Sequence, residues 1–201
     1  LINKKILPDM KGLYSDNTTP IDAIIISHPH MDHYGFMGYA RDDIPVYIGH
    51  AANELIKISN IFTPTNVIIS QPIYYDHKQS FTVGDIKITP FLNDHSAFDA
   101  YSFLIEGEGK RLFYSGDFRG HGRKSSLFSS LINSPPKNID YLMMEGTNIG
   151  RTTKSKSEED IENELVEVFK EPDKINLIYQ AGQNIDRIVS VFKACIKTDK
   201  I

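Results

Sequence analysis

Residues 26–35, ISHPHMDHYG, crowd His28, His30, Asp32 and His33 into one short stretch directly after an apolar run. Neutral imidazole nitrogens and a carboxylate suit zinc, and also manganese or iron. His28 and His30 are two apart, so an extended backbone aims both the same way. The adjacent Asp32 and His33 must point elsewhere once the chain turns. Four ligands from one tight loop would overfill a single ion that has to keep a position open for water. Two ions roughly 3.5–4 Å apart use them better. The plainer alternative is a polar turn whose histidines are surface or capping groups, which suits a lone histidine better than H-x-H-x-D-H behind a strand.

Such residues need a rigid support, and the flanking sequence supplies one. IDAIIIS (residues 21–27) is β-branched and almost unbroken, the pattern of a strand buried on both faces. HYGFMGYA then opens a helix, IPVYIG (44–49) reads as a second buried strand, and HAANELIKISNIF as the helix after it. From residue 67 to 105 the segments NVIISQPIYY, QSFTV, DIKITPFLN and AYSFLIE read as strands separated by Gly-containing turns. RLFYSGD (111–117) and NIDYLMMEG (138–146) are further strands ending in polar loops. Polar loops at the C-terminal ends of apolar strands are where open α/β sheets place their sites.

The character shifts after residue 150. RTTKSKSEED is a polar lead-in, with Ser157 as helix cap and Glu158, Glu159 and Asp160 at the positive helix end. Ile161, Leu165, Val168 and Phe169 form a stripe at helical spacing. KINLIYQA reads as a strand. NIDRIVSVFKACIK reads as a helix capped by Asn184, with an apolar face of Ile185, Ile188, Val189, Phe192 and Ile196 that includes Cys195 as packing.

With 201 residues, a sizeable core is available. The net charge of −4 advertises no broad basic surface, although bound divalent ions would add charge that the count omits. One cysteine excludes an internal disulfide and suits a reducing cytoplasm. No apolar run approaches the roughly 18–20 residues of a membrane span. His50 and His77 read as structural or surface groups. The first residue is Leu1 rather than Met, as in a piece of a longer protein.

HPHMDH resembles the signature of the metallo-β-lactamase superfamily, α/β proteins with an αββα sandwich and a dinuclear metal site. The resemblance implies that His28 and His30 bind the first metal while Asp32 and His33 serve the second. It also implies His95, in FLNDHSAFDAYSFLI, as the third histidine of the first metal, and Asp117, in FYSGDF, as the bridging carboxylate. DHSAFDAY, YSGDFRGHGRK, LMMEGTNIGR and YQAGQNIDRIVSVFKA further resemble the β-CASP branch of metal-dependent nucleases, and no PGHT-like motif of lactamases and glyoxalases is present. Residues 1–155 then correspond to the lactamase-like core, incomplete at its start and finish, and residues 156–201 to a linker helix and the beginning of the inserted β-CASP cap. Glu145, in EGTN, matches the branch's carboxylate that orients a proton-donating histidine. His121, Arg119 and Arg123, with Lys124, form the most basic patch beside the site and are candidates for phosphate contact.

These assignments imply a metal-dependent phosphodiesterase, a nuclease for RNA, with DNA as the alternative. It would use two divalent ions, zinc with manganese as the alternative, and a hydroxide bridging them, with Asp32 and Asp117 as catalytic carboxylates. The same site could hydrolyse a small ester, thioester or lactone, and the branch also contains non-catalytic partners; a homo-oligomer is open. No histidine follows His121, so the family's last second-metal histidine and its proton donor have no match here. With Asp32, His33 and Asp117 alone, the second metal is expected to bind weakly and the isolated chain to be poorly active.

Overall fold

The apolar runs at residues 24–26 and 46–49 become short strands covered on two sides, by a helix and by a second sheet. The computed structural model describes residues 1–14, 20–64, 66–172 and 174–200. In it β1 (Ile24–Ile26), β2 (Val46–Gly49) and β3 (Pro72–Tyr75) form a parallel sheet in that order. A second sheet runs β4 (Phe81–Val83), β5 (Ile86–Leu92), β6 (Tyr101–Gly107), β7 (Lys110–Tyr114) and β8 (Tyr141–Met143), antiparallel until the parallel β7–β8 pair.

Alternation along the first sheet sorts its side chains into two cores. Ile24, Ile26, Val46 and Ile48 pack with Ala52 and Ile56 of the helix α2 (His50–Phe62) and with Tyr34 of the one-turn helix α1 (Met31–Tyr34). Ile25 and Tyr47 face the second sheet, among Tyr75, Ile88, Tyr101 and Phe103. Ile48 and Ile56 are fully buried, each contributing about 1.5–3 kcal/mol by leaving water. The helix α3 (Ser125–Asn133) lies over the outer face of the second sheet, where Phe113 of β7 and Leu131 of α3 line one apolar cleft. The layers therefore run helix, sheet, sheet, helix, which is the αββα order expected.

Ser157 caps α4 (Glu158–Phe169) through a reciprocal pair of bonds with Asp160, and the Asn184 side chain accepts the Arg187 N–H at the start of α5 (Ile185–Thr198). Cys195 on α5 is half-buried and free.

Four expectations are corrected. NVIISQPIYY is a strand only from Pro72, because the Asn60 amide takes both backbone groups of Val67 and leaves none for a ladder. The helix expected from HYGFMGYA begins earlier, at Met31, and lasts one turn before a 3₁₀ turn at Met37–Tyr39. KINLIYQA pairs with no described strand, and Ile175, Leu177 and Tyr179 stand exposed. The apolar stripe of α5 is largely outside, with Ile188, Phe192 and Ile196 exposed and Asp186, Ser190 and Ala194 buried; the stripe of α4 is split, with Phe169 buried, Ile161 and Leu165 half-buried and Val168 exposed, while Glu158 and Glu162 are buried beside it. Charge pairing turned these helices, as the next section shows.

Candidate metal centre

The end of β1 is pinned before its loop begins. The Ser27 carbonyl accepts the Tyr101 N–H, and the Ile26 carbonyl accepts the Tyr75 hydroxyl. His28 follows in a bend, His30 is extended at the entry of α1, and Asp32 and His33 sit on the single turn of α1. The loop after β5 brings His95, and the loop after β7 brings Asp117 through Gly116, whose positive φ of 54° a side chain would strain. A Cβ there would also lie 2.6 Å from the Tyr101 carbonyl oxygen.

Donor atoms of His28, His30, His95 and Asp117 all lie within 4.8 Å of one another. Asp117 Oδ2 is 3.8 Å from His28 Nε2, 3.9 Å from His95 Nε2 and 3.4 Å from His33 Nε2. His33 Nε2 is in turn 3.7 Å from Asp32 Oδ2, whose side chain is largely exposed. His28, His30, His33, His95, Asp32 and Asp117 thus converge from three loops onto one cluster.

The donor chemistry fits cations. Ser27 Oγ bonds His28 Nδ1 at 3.1 Å, while His28 Nε2 is buried with no hydrogen-bond partner among the described residues. A buried unpaired nitrogen beside a carboxylate costs free energy unless something accepts its lone pair. Burial, then repulsion from His33, His95 and His30, pushes His28 down to about 2; burial with the neighbouring His30, Arg119 and Lys124 charges pushes His95 down to about 3. Burial lowers His30 as well. All three imidazoles are therefore neutral near pH 7, the form that binds metal. Asp117 is raised, first by burial and then by the neighbouring Glu145 and Asp32 carboxylates, against the opposing effect of His33.

Glu145, after β8, accepts the Phe118 N–H at 2.9 Å, and its own N–H donates to Ser115 Oγ. It braces the Asp117 loop from the side. The basic patch lies differently from the expectation that it faces phosphate. Arg119 pairs with Asp186 and with Glu158 at 3.4 Å, Arg123 pairs with Glu162, and Lys124 Nζ bonds Asp186 at 3.2 Å and the His95 carbonyl at 3.1 Å. Their charge is engaged by the carboxylates of α4 and α5. His121 accepts the Glu158 N–H on its carbonyl, and it lines a cleft at the start of α4 that contains both Lys154 and Lys193 and the acidic Glu159 and Glu162.

Sequence reasoning passed over the residues that hold the loops together. The buried Asn93 amide donates to Ser102 Oγ at 3.0 Å, the Ser115 carbonyl at 3.2 Å and the Asp117 carbonyl at 3.3 Å, tying the His95 loop to the Asp117 loop. The buried Asp94 carboxylate accepts the N–H groups of Gly122 and Lys124. The adjacent polar pair Asn93-Asp94 at the end of an apolar strand was the available signal.

A family model described as a β-lactamase superfamily domain matches residues 8–167. The chain is 24% identical to ribonuclease J of Mycoplasma pneumoniae over 97% of its own length and 35% of that protein's. It is 29% identical to the transcription termination factor FttA of Methanothermobacter thermautotrophicus, over 74% of this chain and 26% of that protein. It is 25% identical to cleavage and polyadenylation specificity factor subunit 3 of Dictyostelium discoideum, over 70% and 20%. The chain thus spans about a third or less of the curated relatives it matches. Among solved structures, a protein of unknown function from Enterococcus faecalis V583 superposes with a TM-score of 0.81 at 22% identity, over 95% of this chain and 51% of that one. Three loops delivering histidines and an aspartate to one edge of an αββα sandwich accord with that match: the chain belongs to the β-lactamase superfamily.

Proposed function

We propose that this chain carries the metal centre of a metal-dependent phosphodiesterase that cleaves RNA. The observation that supports it most is the buried His28 Nε2, without a hydrogen-bond partner among the described residues, whose donor atom lies with those of His30, His95 and Asp117 within 4.8 Å of one another. His28, His30, His95 and Asp117 would hold one divalent ion, and Asp32, His33 and Asp117 a second. Bound there, such ions act as Lewis acids on a phosphoryl oxygen and bring the pKa of water down toward about 7. The residues themselves do the rest. The neutral imidazoles offer lone pairs without competing protons, Asp117 spans both donor sets, and the exposed Asp32 is open to hold a proton from the attacking water. Glu145, fixed against the Phe118 N–H, is the candidate for orienting a proton donor toward the leaving group. Zinc or manganese suits these nitrogen and oxygen donors.

RNA as substrate follows the relatives, of which ribonuclease J and the endoribonuclease ysh1 of Schizosaccharomyces pombe carry the activity in their names. The lack of a broad basic surface agrees with a substrate held chiefly through its scissile phosphate. The test is cleavage of single-stranded RNA by the protein, abolished by EDTA and restored by zinc or manganese. Loss of cleavage in a His28→Ala, His30→Ala variant with retained far-ultraviolet dichroism is expected; undiminished cleavage by that variant refutes the reading.

A further inference from the structure

The first turn of α5 touches both loops that carry first-metal histidines. Gln183 Nε2 donates to the Pro29 carbonyl at 3.1 Å and to Ser59 Oγ of α2 at 3.2 Å. Pro29 lies between His28 and His30, so the Gln183 amide clamps that loop against α2 in mid-course. Three residues on, Asp186 donates its backbone N–H to the Ser96 carbonyl at 3.4 Å, next to His95. Its carboxylate holds Lys124, which donates to the His95 carbonyl, and it also accepts the Arg123 N–H at 3.1 Å. The contacts of Gln183 and Asp186 reach residues 62–154 positions away, and none is needed to form α5 itself, which Asn184 already caps.

We infer that the Gln183–Asp186 turn is a positioning device for the metal centre, Gln183 fixing the His28–His30 loop and Asp186 fixing the His95 loop, so that metal binding and docking of α5 are energetically coupled. The inference rests on the metal-centre reading above. Outer hydrogen bonds that orient ligands are commonly worth 10–100-fold in metal affinity. Linkage requires the reverse as well: an ion that binds better when α5 is docked must hold α5 in place.

The experiment compares the unsubstituted protein with Gln183→Ala, the same-length Gln183→Met, and Arg187→Ala. Arg187 pairs with Glu158 in the same helix packing but bonds neither ligand loop, so it controls for mere loosening of α5. Zinc affinity is measured by competition with a chelator, the cobalt-substituted absorption spectrum is recorded, and amide hydrogen exchange in α5 is followed with and without zinc. Both Gln183 variants are expected to weaken the tight site about 10-fold or more, to alter the cobalt bands, and to lose the zinc-dependent slowing of exchange in the first turn of α5. Arg187→Ala is expected to leave affinity and cobalt bands within about twofold of the unsubstituted protein, on the scale of that same outer-bond effect. Unchanged affinity and spectra in both Gln183 variants overturn the inference, as does an Arg187→Ala variant that weakens the site as much as they do. An unsubstituted protein that binds no zinc or cobalt overturns the metal-centre reading itself.

Discussion

Glu158→Ala should be among the most damaging substitutions away from the metal cluster, and the structure gives its size. The Glu158 side chain is 2% exposed. It accepts Arg187 Nε at 3.1 Å and Nη2 at 3.2 Å, Ser190 Oγ at 2.7 Å and Arg119 Nη1 at 3.4 Å. Removing it leaves the Arg187 guanidinium without its carboxylate and takes one of two from Arg119, which keeps Asp186, while the Ser190 hydroxyl keeps the Asp186 carbonyl. Breaking one side of a buried pair costs about 3–5 kcal/mol. Arg187 is 32% exposed and can turn toward water, which favours the lower end, about 3 kcal/mol. For a domain of this size that lowers the melting temperature by about 6–12 °C. The pH dependence supplies a second signature. Burial alone raises the Glu158 carboxyl, but the hydrogen bonds from Arg187 and Ser190 outweigh it and hold the group below the usual carboxylate range. A depressed folded pKa gives stability that is fully present above the unfolded value of about 4.3 and is lost as pH falls through the folded value. Urea unfolding of both proteins should therefore show the full difference at pH 7 and a shrinking one below about pH 4. A difference under about 0.5 kcal/mol at pH 7, the scale of an ordinary surface substitution, would refute the reasoning.

Two further substitutions probe other parts of the scaffold. Gly116→Ala sets a methyl group 2.6 Å from the Tyr101 carbonyl at a φ of 54°, and should cost about 1–3 kcal/mol while displacing Asp117; an unchanged denaturation midpoint with unchanged zinc affinity would contradict it. On α5, Phe192→Ser should change stability by less than about 0.5 kcal/mol because the ring is mostly exposed, whereas Ala194→Leu, at a fully buried position, should cost about 1–3 kcal/mol. The reverse ranking in denaturant titrations would mean that the apolar face of α5 packs inward.

The metal cluster was legible because its signal is local chemistry. His28, His30, Asp32 and His33 follow one strand end, and a strand of Ile24, Ile25 and Ile26 announces itself by composition. The strands were legible for the same reason where neighbours exist to satisfy them, and illegible where they do not. Ile175, Leu177 and Tyr179 have strand-like propensity, yet a strand is defined by ladder bonds, and no described segment offers them. Val67 looks like a strand residue, but one side-chain amide, Asn60, replaces the ladder. Asn93, Asp94, Gln183 and Asp186 were not legible as parts of the centre, because each acts through a partner tens of residues away.

The orientation of α4 and α5 shows which force wins when periodicity and charge disagree. Hydrophobic spacing would bury Ile188, Phe192 and Ile196, a few kcal/mol in all if each were fully covered. The opposite face carries Asp186, buried against Arg119, Arg123 and Lys124. Those cations sit on the loop that continues from Asp117, beside a site that already crowds four histidines. Left without carboxylates they would add positive potential beside the His28, His30, His95 and Asp117 cluster, and their own desolvation would be uncompensated. Asp186, Glu158 and Glu162 neutralise them and in doing so bring the first turn of α5 onto the ligand loops. The charged face therefore serves the metal centre and the docking of the helices at once, and the apolar face is the one left outward.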